Sequence, residues 1–395
     1  MTQSKSNQND EGLRKFLSGS SESVVKSRLS PEVLRALALL KPQPEPAPVR
    51  RSNFLVFLGA GASKPLGIPT MVDLVNEFRD HVEKSRSNDG EKRILGTIID
   101  VCQEVGQLDI EAILKALNDL TISASNLTNR IIAKYCNSDW PPPGYDEKIS
   151  KKADNLFKEL KNFLKFRCSS LNRPKVTEIY DGLFNLLFGF DNLIDVFTTN
   201  YDMAIETYAR QRRIIDVEDG FQTTRYKDTS WYPARLDVAP GSAQKIIRLH
   251  KLHGSISWYM DEAGKIHWSD AVGANELLTW GKVENLLIYP LDEKSVLREP
   301  FFELFLRLRN ALRESPWVRI IVIGYSFRDE HIRYLIKDAL TRRAALLVII
   351  DPNADKLADN YFWDHPANLL VYKITGSIED EMAMKELGAI VKGSA

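Results

Sequence analysis

The chain of 395 residues has an apolar share of 44% and as many basic as acidic side chains, 53 of each. This balance gives the whole protein no net field that would attract nucleic acid, although it does not exclude a local basic patch. The chain contains no unbroken apolar run of membrane-spanning length, and its start, MTQSKSNQNDEG, lacks the apolar core of a secretion signal. We therefore expect no membrane span and a cytoplasmic location.

The first 50 residues are predicted to form a separate segment with a disordered start. Within it, LSPEVLRALALLK is typical of a short helix at 30–41, because Ser30 can cap it and apolar residues share one face. The proline-spaced KPQPEPAPVRR that follows predicts an extended linker. The apolar face of this helix either packs on its own chain or binds a second subunit, so residues 1–50 are a candidate for oligomerisation.

The first strand of the folded region is predicted at Phe54–Leu58, and the glycine-spaced turn GAGASKPLGIP follows it directly. A helix is predicted from Thr70 to about Glu83. Its inward face would consist of Val72, Val75, Phe78 and Val82. Residues 91–190 have a mainly helical pattern, with Asp109 as a helix cap and a break at WPPPGY, which predicts an inserted helical subdomain.

Strand patterns return in LIDVFTTN, KIIRLHKLHG, NLLIYP, VRIIVIGYSF and ALLVIID, and helices are predicted near 203–210, 301–314, 329–341 and 377–391. This alternation predicts an α/β fold, in which a Rossmann-like parallel sheet has helices on both faces. The sheet domain would comprise residues 51–90 and 191–395, with residues 91–190 inserted as the helical subdomain. A turn at Asp261–Gly264 predicts a small hairpin.

The three cysteines, Cys102, Cys136 and Cys168, form no closely spaced pair. A four-thiolate zinc site needs paired cysteines, and a disulfide framework is typical of secreted chains. The cysteine pattern therefore predicts free thiols.

Gly59 and Gly61 follow the first strand, where a phosphate could approach the main chain without meeting a side-chain carbon. The N–H groups at the start of a following helix would suit a pyrophosphate. The turn lacks the third glycine of the dinucleotide fingerprint and the lysine of a phosphate-binding P-loop. A glycine turn without any ligand is the alternative interpretation.

Polar residues also follow the other predicted strands, and in an open parallel sheet these carboxyl ends are where ligands bind. They are Thr199, Asn200 and Asp202 after LIDVFTTN, His253 and Gly254 after KIIRLHK, Gly324 and Ser326 after VRIIVI, and Asp351 after ALLVII. Each has a structural alternative, namely helix capping by Asn200 and Asp202, a packed histidine, or an Asp-Pro turn. His250 is expected on the opposite face of its strand from His253.

In this order, these segments resemble the motifs of the sirtuin family. GAGASKPLGIP at Gly59–Pro69 is similar to the loop that wraps the NAD diphosphate in sirtuins, TTNYD to their TQNxD motif, HG to their catalytic histidine motif, and GYS to their GTS motif. The resemblance implies an NAD site. Catalytic roles would fall to Asn200, His253 and Asp202, and NAD-binding roles to Gly59, Ala60, Gly61, Ser63, Pro69, Thr199, Gly324, Ser326 and Asp351.

The chain departs from sirtuin deacylases at several points. The interval after His253 holds no cysteine, so no zinc is expected, and Thr70, Met71 and Val72 replace the Asp-Phe-Arg that follows GIP in the family. The segments GIPT and Ile288–Pro290 are similar instead to divergent sirtuin-like domains of bacterial antiphage systems.

That second resemblance implies an NAD hydrolase that releases nicotinamide and ADP-ribose as a defence effector. It also permits a homo-oligomer and a ring-forming HerA-type translocase ATPase as partner. An NAD-dependent protein deacylase and a non-catalytic NAD- or ADP-ribose-sensing subunit remain the alternatives.

Overall fold

The computed structural model describes residues 52–85, 88–122, 147–223, 229–269, 284–287, 299–314, 317–342, 345–362 and 370–393. The predictions for residues 1–50, Cys136 and Ile288–Pro290 lie outside these residues. Cys102 and Cys168 are both buried and unpaired with each other or any other described cysteine, as predicted.

Seven parallel strands form the central sheet of the described chain. They are β1 (Phe54–Leu58), β2 (Leu193–Thr198), β3 (Ile215–Glu218), β6 (Lys245–Lys251), β10 (Val318–Ile323), β11 (Ala345–Asp351) and β12 (Val371–Thr375), in the order β12-β11-β10-β1-β2-β6-β3. The strand order changes direction between β1 and β10, because β2 and β6 extend the sheet on one side while β11 and β12 extend it on the other. This confirms the predicted Rossmann-like α/β fold.

The helices of the described residues are α1 (Ala60–Ser63), α2 (Met71–Lys84), α3 (Asp89–Glu104), α4 (Ile110–Ile122), α5 (Glu147–Ser169), α6 (Arg173–Leu187), α7 (Ala204–Arg212), α8 (Phe301–Glu314), α9 (Glu330–Thr341), α10 (Ala354–Phe362) and α11 (Glu381–Lys392). Short 3-10 turns occur at Lys64–Leu66 and Pro233–Asp237.

Helices cover both faces of the parallel sheet, and successive side chains of β1 point to opposite faces. Val56 and Leu58 point into a core shared with α6, α7 and α11, whereas Leu55 and Phe57 point into a core shared with α8, α9 and α10. Neighbouring strand residues face opposite sides of a sheet, so a run of apolar residues buries both.

A third core joins helices α2 to α5. Leu74, Val75, Phe78 and Val82 are the buried residues of α2, and Thr70 caps it in a capping box with Asp73. The prediction that Val72 points inward is wrong, since 42% of this residue is exposed. Val72 lies in the first turn of α2, and its neighbours Met71, Leu74 and Val75 pack into this core instead.

A smaller antiparallel sheet has the order β4-β5-β8-β7-β9, with β4 at Phe221–Thr223, β5 at Thr229–Trp231, β7 at Gly254–Met260, β8 at Ile266–Trp268 and β9 at Glu284–Leu287. The hairpin predicted at Asp261–Gly264 is confirmed, because β7 and β8 pair across that turn. The segment NLLIYP was predicted as part of the parallel sheet, but β9 pairs antiparallel with β7.

Candidate functional site

The carboxyl ends of β1, β2, β6, β10 and β11 meet at one edge of the parallel sheet, where they border a cavity of ≈ 390 Å³. This volume is in the usual range for small-molecule sites. Of the residues proposed from the sequence, Ala60, Gly61, Thr199, His253, Gly324, Ser326 and Asp351 line the cavity. Gly59, Ser63, Pro69, Asn200 and Asp202 are not among the lining residues that the structure describes.

The glycines bring two loops into backbone contact. A Cβ on Gly59 would lie 2.5 Å from the carbonyl oxygen of Gly324, and one on Gly61 would lie 2.7 Å from the Cα of Gly324. Gly324 itself has a φ of 60°, which a residue with a side chain rarely adopts. All three positions therefore require glycine for loop packing, independently of any ligand.

This loop contact also uses the backbone N–H groups of Gly59 and Gly61 as hydrogen-bond donors. Gly59 donates to the carbonyl oxygen of Ile323 at 3.0 Å, and Gly61 donates to that of Gly324 at 2.9 Å. The helix directly after the turn, α1, has only four residues, and the longer α2 begins after Thr70. The two glycines thus shape the cavity wall, but their own N–H groups are already used.

Asn200 lies behind the glycine loop. Its side-chain nitrogen donates to the carbonyl oxygen of Gly59 at 2.8 Å and to Ser63 Oγ at 3.0 Å. Its backbone N–H donates to Thr198 Oγ1 at 2.9 Å. The amide of Asn200 therefore ties the end of β2 to the loop after β1.

Asp202 continues this buried network. Ser63 Oγ donates to Asp202 Oδ2 at 2.8 Å, and the other carboxylate oxygen accepts the N–H of Ala204 at 2.9 Å, at the start of α7. Lys251 Nζ donates to the carbonyl oxygen of Asp202 and forms an ion pair with Glu206 at 3.0 Å. The Asp202 carboxylate thus bonds both the first residue of α7 and the glycine loop.

His253 follows the end of β6, and Gly254, with a φ of 90°, turns the chain into β7. Only 12% of the His253 side chain is exposed, and its Nδ1 has no hydrogen-bond partner among the described residues. Nε2 lies 3.7 Å from Asp329 Oδ1. Burial lowers the pKa of His253, and the carboxylate of Asp329 acts in the opposite direction.

His250 occupies a different environment. It is 3% exposed, its ring stacks on Phe197, and its Nε2 lies 3.6 Å from Asp195. Burial also lowers the pKa of His250. His250 does not line the cavity, so the two histidines are separated as the strand pattern predicted.

Asp351 ends β11 at the far side of the cavity. Its Oδ1 accepts the N–H of Asn353 at 2.8 Å, which is the turn geometry of the structural alternative. Burial raises the pKa of Asp351. Because Asp351 and Asn353 both line the cavity, the turn leaves a carboxylate and an amide next to each other there.

Several lining residues were missed in the sequence. Tyr325 donates from its hydroxyl to Asp329 Oδ2 at 2.7 Å, and Arg328 pairs through Nη1 with Asp109 Oδ2 at 2.7 Å. Glu111 also lines the cavity, and burial, reinforced by Asp329 and Asp109, raises its pKa to about 8. Tyr325, Arg328 and Asp329 all lie in the segment GYSFRDEH, directly after a predicted strand, so the sequence could have indicated them. Asp109 and Glu111 lie at the start of α4, and only the fold brings that helix to the segment.

Residues 195–371 match a family model described as SIR2-like domain. The matched segment runs from within β2 to the first residue of β12. It contains Thr199, Asn200, Asp202, His253, Gly324, Ser326 and Asp351, whereas the glycine loop after β1 precedes it.

Solved structures of similar shape include a Sir2 homologue–NAD complex, with 13% identity, a TM-score of 0.39, and coverage of 87% of this chain and 91% of that one. A mutant Sir2 homologue with ADP ribose has 12% identity, a TM-score of 0.38, and coverage of 93% and 98%. A Sir2 complex with an inhibitor, 2'-O-acetyl-ADP-ribose and a deacetylated peptide has 10% identity, a TM-score of 0.35, and coverage of 87% and 94%. No curated protein sequence matches the chain.

No group of three or more His, Cys, Asp or Glu side chains in the described residues is arranged to hold a metal ion. Every helix in the same part of the chain is too short or too polar to span a bilayer.

Proposed function

We propose that this chain is an NAD glycohydrolase, which uses water to cleave the nicotinamide–ribose bond of NAD and releases nicotinamide and ADP-ribose. The match of residues 195–371 to the SIR2-like domain supports an NAD-related activity. The observation that carries the proposal is the order of chemical groups along the edge of the sheet.

That order begins with Asp351 at the end of β11, continues with the glycine loops after β10 and β1, and ends with His253 after β6. Four strand spacings of about 4.8 Å separate β11 from β6, so the lined edge extends over about 19 Å. An elongated ligand fits this distance. A carboxylate suits ribose hydroxyls, a glycine-walled centre suits a diphosphate, and an imidazole suits the second ribose, which is the order of groups in a dinucleotide.

His253 would act as the catalytic base. Its lowered pKa leaves the imidazole neutral at pH 7, so it can accept a proton from water or from a ribose hydroxyl. Asp329 would stabilise the imidazolium that forms. Asn200 and Asp202 would act as positioning residues, because their side chains hold the glycine loop from behind.

The test is His253→Ala, with nicotinamide release from NAD followed by chromatography. We expect the rate to fall by about 10²- to 10⁴-fold, the usual contribution of a general base, at an unchanged unfolding temperature. His81→Ala is the control, since His81 lies on α2 and outside the cavity lining. A His253→Ala variant that turns over NAD at the normal rate would refute the assignment.

The same purified protein separates the alternatives. A deacylase would form an acylated ADP-ribose when an acetyl-lysine peptide is added with NAD, whereas a hydrolase needs no peptide. A sensing subunit would bind NAD saturably and release no nicotinamide. The inward position of Asn200 and Asp202 favours this sensing function over the deacylase as the second candidate.

We further propose that the enzyme is an antiphage defence effector that depletes NAD in the cytoplasm. Uncontrolled loss of NAD would harm the host, so activity would have to await infection or assembly. Assembly would involve residues 1–50 and a ring-forming HerA-type ATPase. Nicotinamide release on addition of infected-cell lysate, but not uninfected lysate, would support this role, and equal release with both would contradict it.

A further inference from the structure

Arg328 is a basic residue in a cavity lined mainly by apolar and acidic residues. It follows β10 by five residues and is the only lysine or arginine among the described residues that line the cavity. Its guanidinium Nη1 lies 2.7 Å from Asp109 Oδ2, across 219 positions of the sequence. The Arg328 side chain is 55% exposed, so it has room to change partner.

Most of the other ionisable groups of the cavity are acidic, so the guanidinium of Arg328 is a positive charge that could offset a bound anion. Four carboxyl groups line the same space, those of Asp109, Glu111, Asp329 and Asp351. A ligand diphosphate would bring further negative charge, and the N–H groups of Gly59 and Gly61 are already used by the loop contact. A cation beside the diphosphate would offset this negative charge, and a guanidinium binds phosphate oxygens in a bidentate fashion.

We propose that Arg328 binds the diphosphate of the dinucleotide and that Asp109 competes with the ligand for the same guanidinium. This inference rests on the proposed function only for the identity of the ligand. In the unliganded chain the pair joins the start of α4 to the loop after β10. On binding, the diphosphate replaces Asp109, so one anionic partner of Arg328 is exchanged for another.

Asp109 can lose this partner without losing its position. Its Oδ1 accepts the N–H of Ala112 at 2.8 Å and thereby caps α4, while Oδ2 meets Arg328. Asparagine is an equally good helix cap. Asp109→Asn therefore removes the competing charge and retains the cap. The variant tests the competition for Arg328 without disturbing the start of α4.

The experiment measures ADP-ribose binding by calorimetry, because ADP-ribose carries the diphosphate and requires no turnover. We expect Arg328→Gln to weaken binding by about tenfold or more, the effect of losing a charge-assisted contact. Asp109→Asn should tighten binding about three- to tenfold. In the double variant, Asp109→Asn should have no effect, because Arg328 is no longer there to be released. Adenosine, which lacks the diphosphate, should bind all four proteins equally.

Three outcomes would overturn the inference. Equal ADP-ribose affinity in wild type and Arg328→Gln would show that Arg328 does not meet the ligand, as would no binding by the wild-type chain at millimolar ADP-ribose. Equal tightening by Asp109→Asn with and without Arg328 would show that Asp109 acts by its charge alone. Nicotinamide release is scored separately, so a chain that binds ADP-ribose through Arg328 but does not cleave NAD would contradict only the proposed reaction.

Discussion

The side chain of Asn200 donates to the carbonyl oxygen of Gly59 and to Ser63 Oγ, in a site with 9% exposure. Asn200→Ala would remove both bonds, while the Gly59 oxygen would still accept the N–H of Ala62, so the cost is that of two hydrogen bonds, about 1–3 kcal/mol. We predict a loss of unfolding free energy of that size, measured in urea, together with a loss of nicotinamide release.

Ser63→Ala is the comparison variant, because it leaves the Gly59 bond in place but removes the bonds that Ser63 Oγ accepts from Asn200 and donates to Asp202. It should lower the unfolding free energy by a comparable amount. If Asn200→Ala abolished turnover at unchanged stability, the residue would contact the substrate directly and would be catalytic rather than a positioning residue.

Asp329 Oδ1 lies 3.7 Å from His253 Nε2, and the Asp329 carboxylate accepts a hydrogen bond from the hydroxyl of Tyr325. This carboxylate raises the pKa of His253 against the effect of burial. Glu111, Asp109 and Arg328 also face this part of the cavity. We predict that Asp329→Asn lowers the pKa of His253 further, so that the acid limb of the pH–rate profile moves to lower pH.

The limb would be measured as kcat/KM for nicotinamide release between pH 4.5 and 8, and the pKa directly by the NMR titration of labelled histidine. Tyr325→Phe, which retains the carboxylate, should shift both by a smaller amount. An unmoved His253 titration in Asp329→Asn would disprove the electrostatic coupling, whatever the rate.

The sequence predicted the location of several site residues but not their orientation. Gly59, Gly324, Asn200 and His253 follow apolar strands, so the rule that ligands bind at carboxyl ends of parallel strands locates them. Their orientation was not predictable. Whether Asn200 faces the cavity or the glycine loop depends on contacts between segments about 140 positions apart, such as the bond to Gly59.

The strands that were predicted are the central ones. β1, β2, β10 and β11 are almost entirely buried, so each appears in the sequence as a mainly apolar run. The edge strands β3 and β12 have mixed exposure and were missed. β9 was assigned to the wrong sheet, because four residues of strand pattern do not indicate which neighbour they pair with.

The helix predicted at 30–41 remains a prediction about assembly. Its linker at 42–50 could reach about 28 Å if extended at about 3.1 Å per residue, far enough to place the helix on a neighbouring subunit. We predict that Leu37→Asp, on the apolar face, lowers the particle mass in light scattering, as should deletion of residues 1–50.

Lys41→Asp is the control, since it changes charge at the end of the same segment and leaves the apolar residues in place. It should preserve the mass. An unchanged mass in both Leu37→Asp and the truncation would show that this segment does not hold subunits together.

At the scale of the whole molecule, buried carboxyl groups couple stability to pH. Burial raises the pKa of Glu111 to about 8 and that of Asp219 to about 7, from unfolded values of 4.5 and 3.8. The folded chain therefore holds protons that the unfolded chain has released, so stability falls as pH rises from about 4 to 8. His250 and His253, with lowered pKa values, act in the opposite direction, but only up to 6.5.

Between pH 6.5 and 8 the carboxyl effect is the larger one, since burial lowers the pKa of Lys165 to about 8 and its opposing effect begins only near the upper end. We predict that wild type loses stability across this range, and that Glu111→Gln removes about 1–2 kcal/mol of the loss, since one pKa unit corresponds to about 1.4 kcal/mol. Urea unfolding at both pH values would measure it. Glu381→Gln, at a carboxylate with 82% exposure, should follow wild type. If Glu111→Gln had the same pH dependence as wild type, Glu111 would be ionised in the folded cavity. The charge of the site at neutral pH would then be more negative by one than the structure indicates.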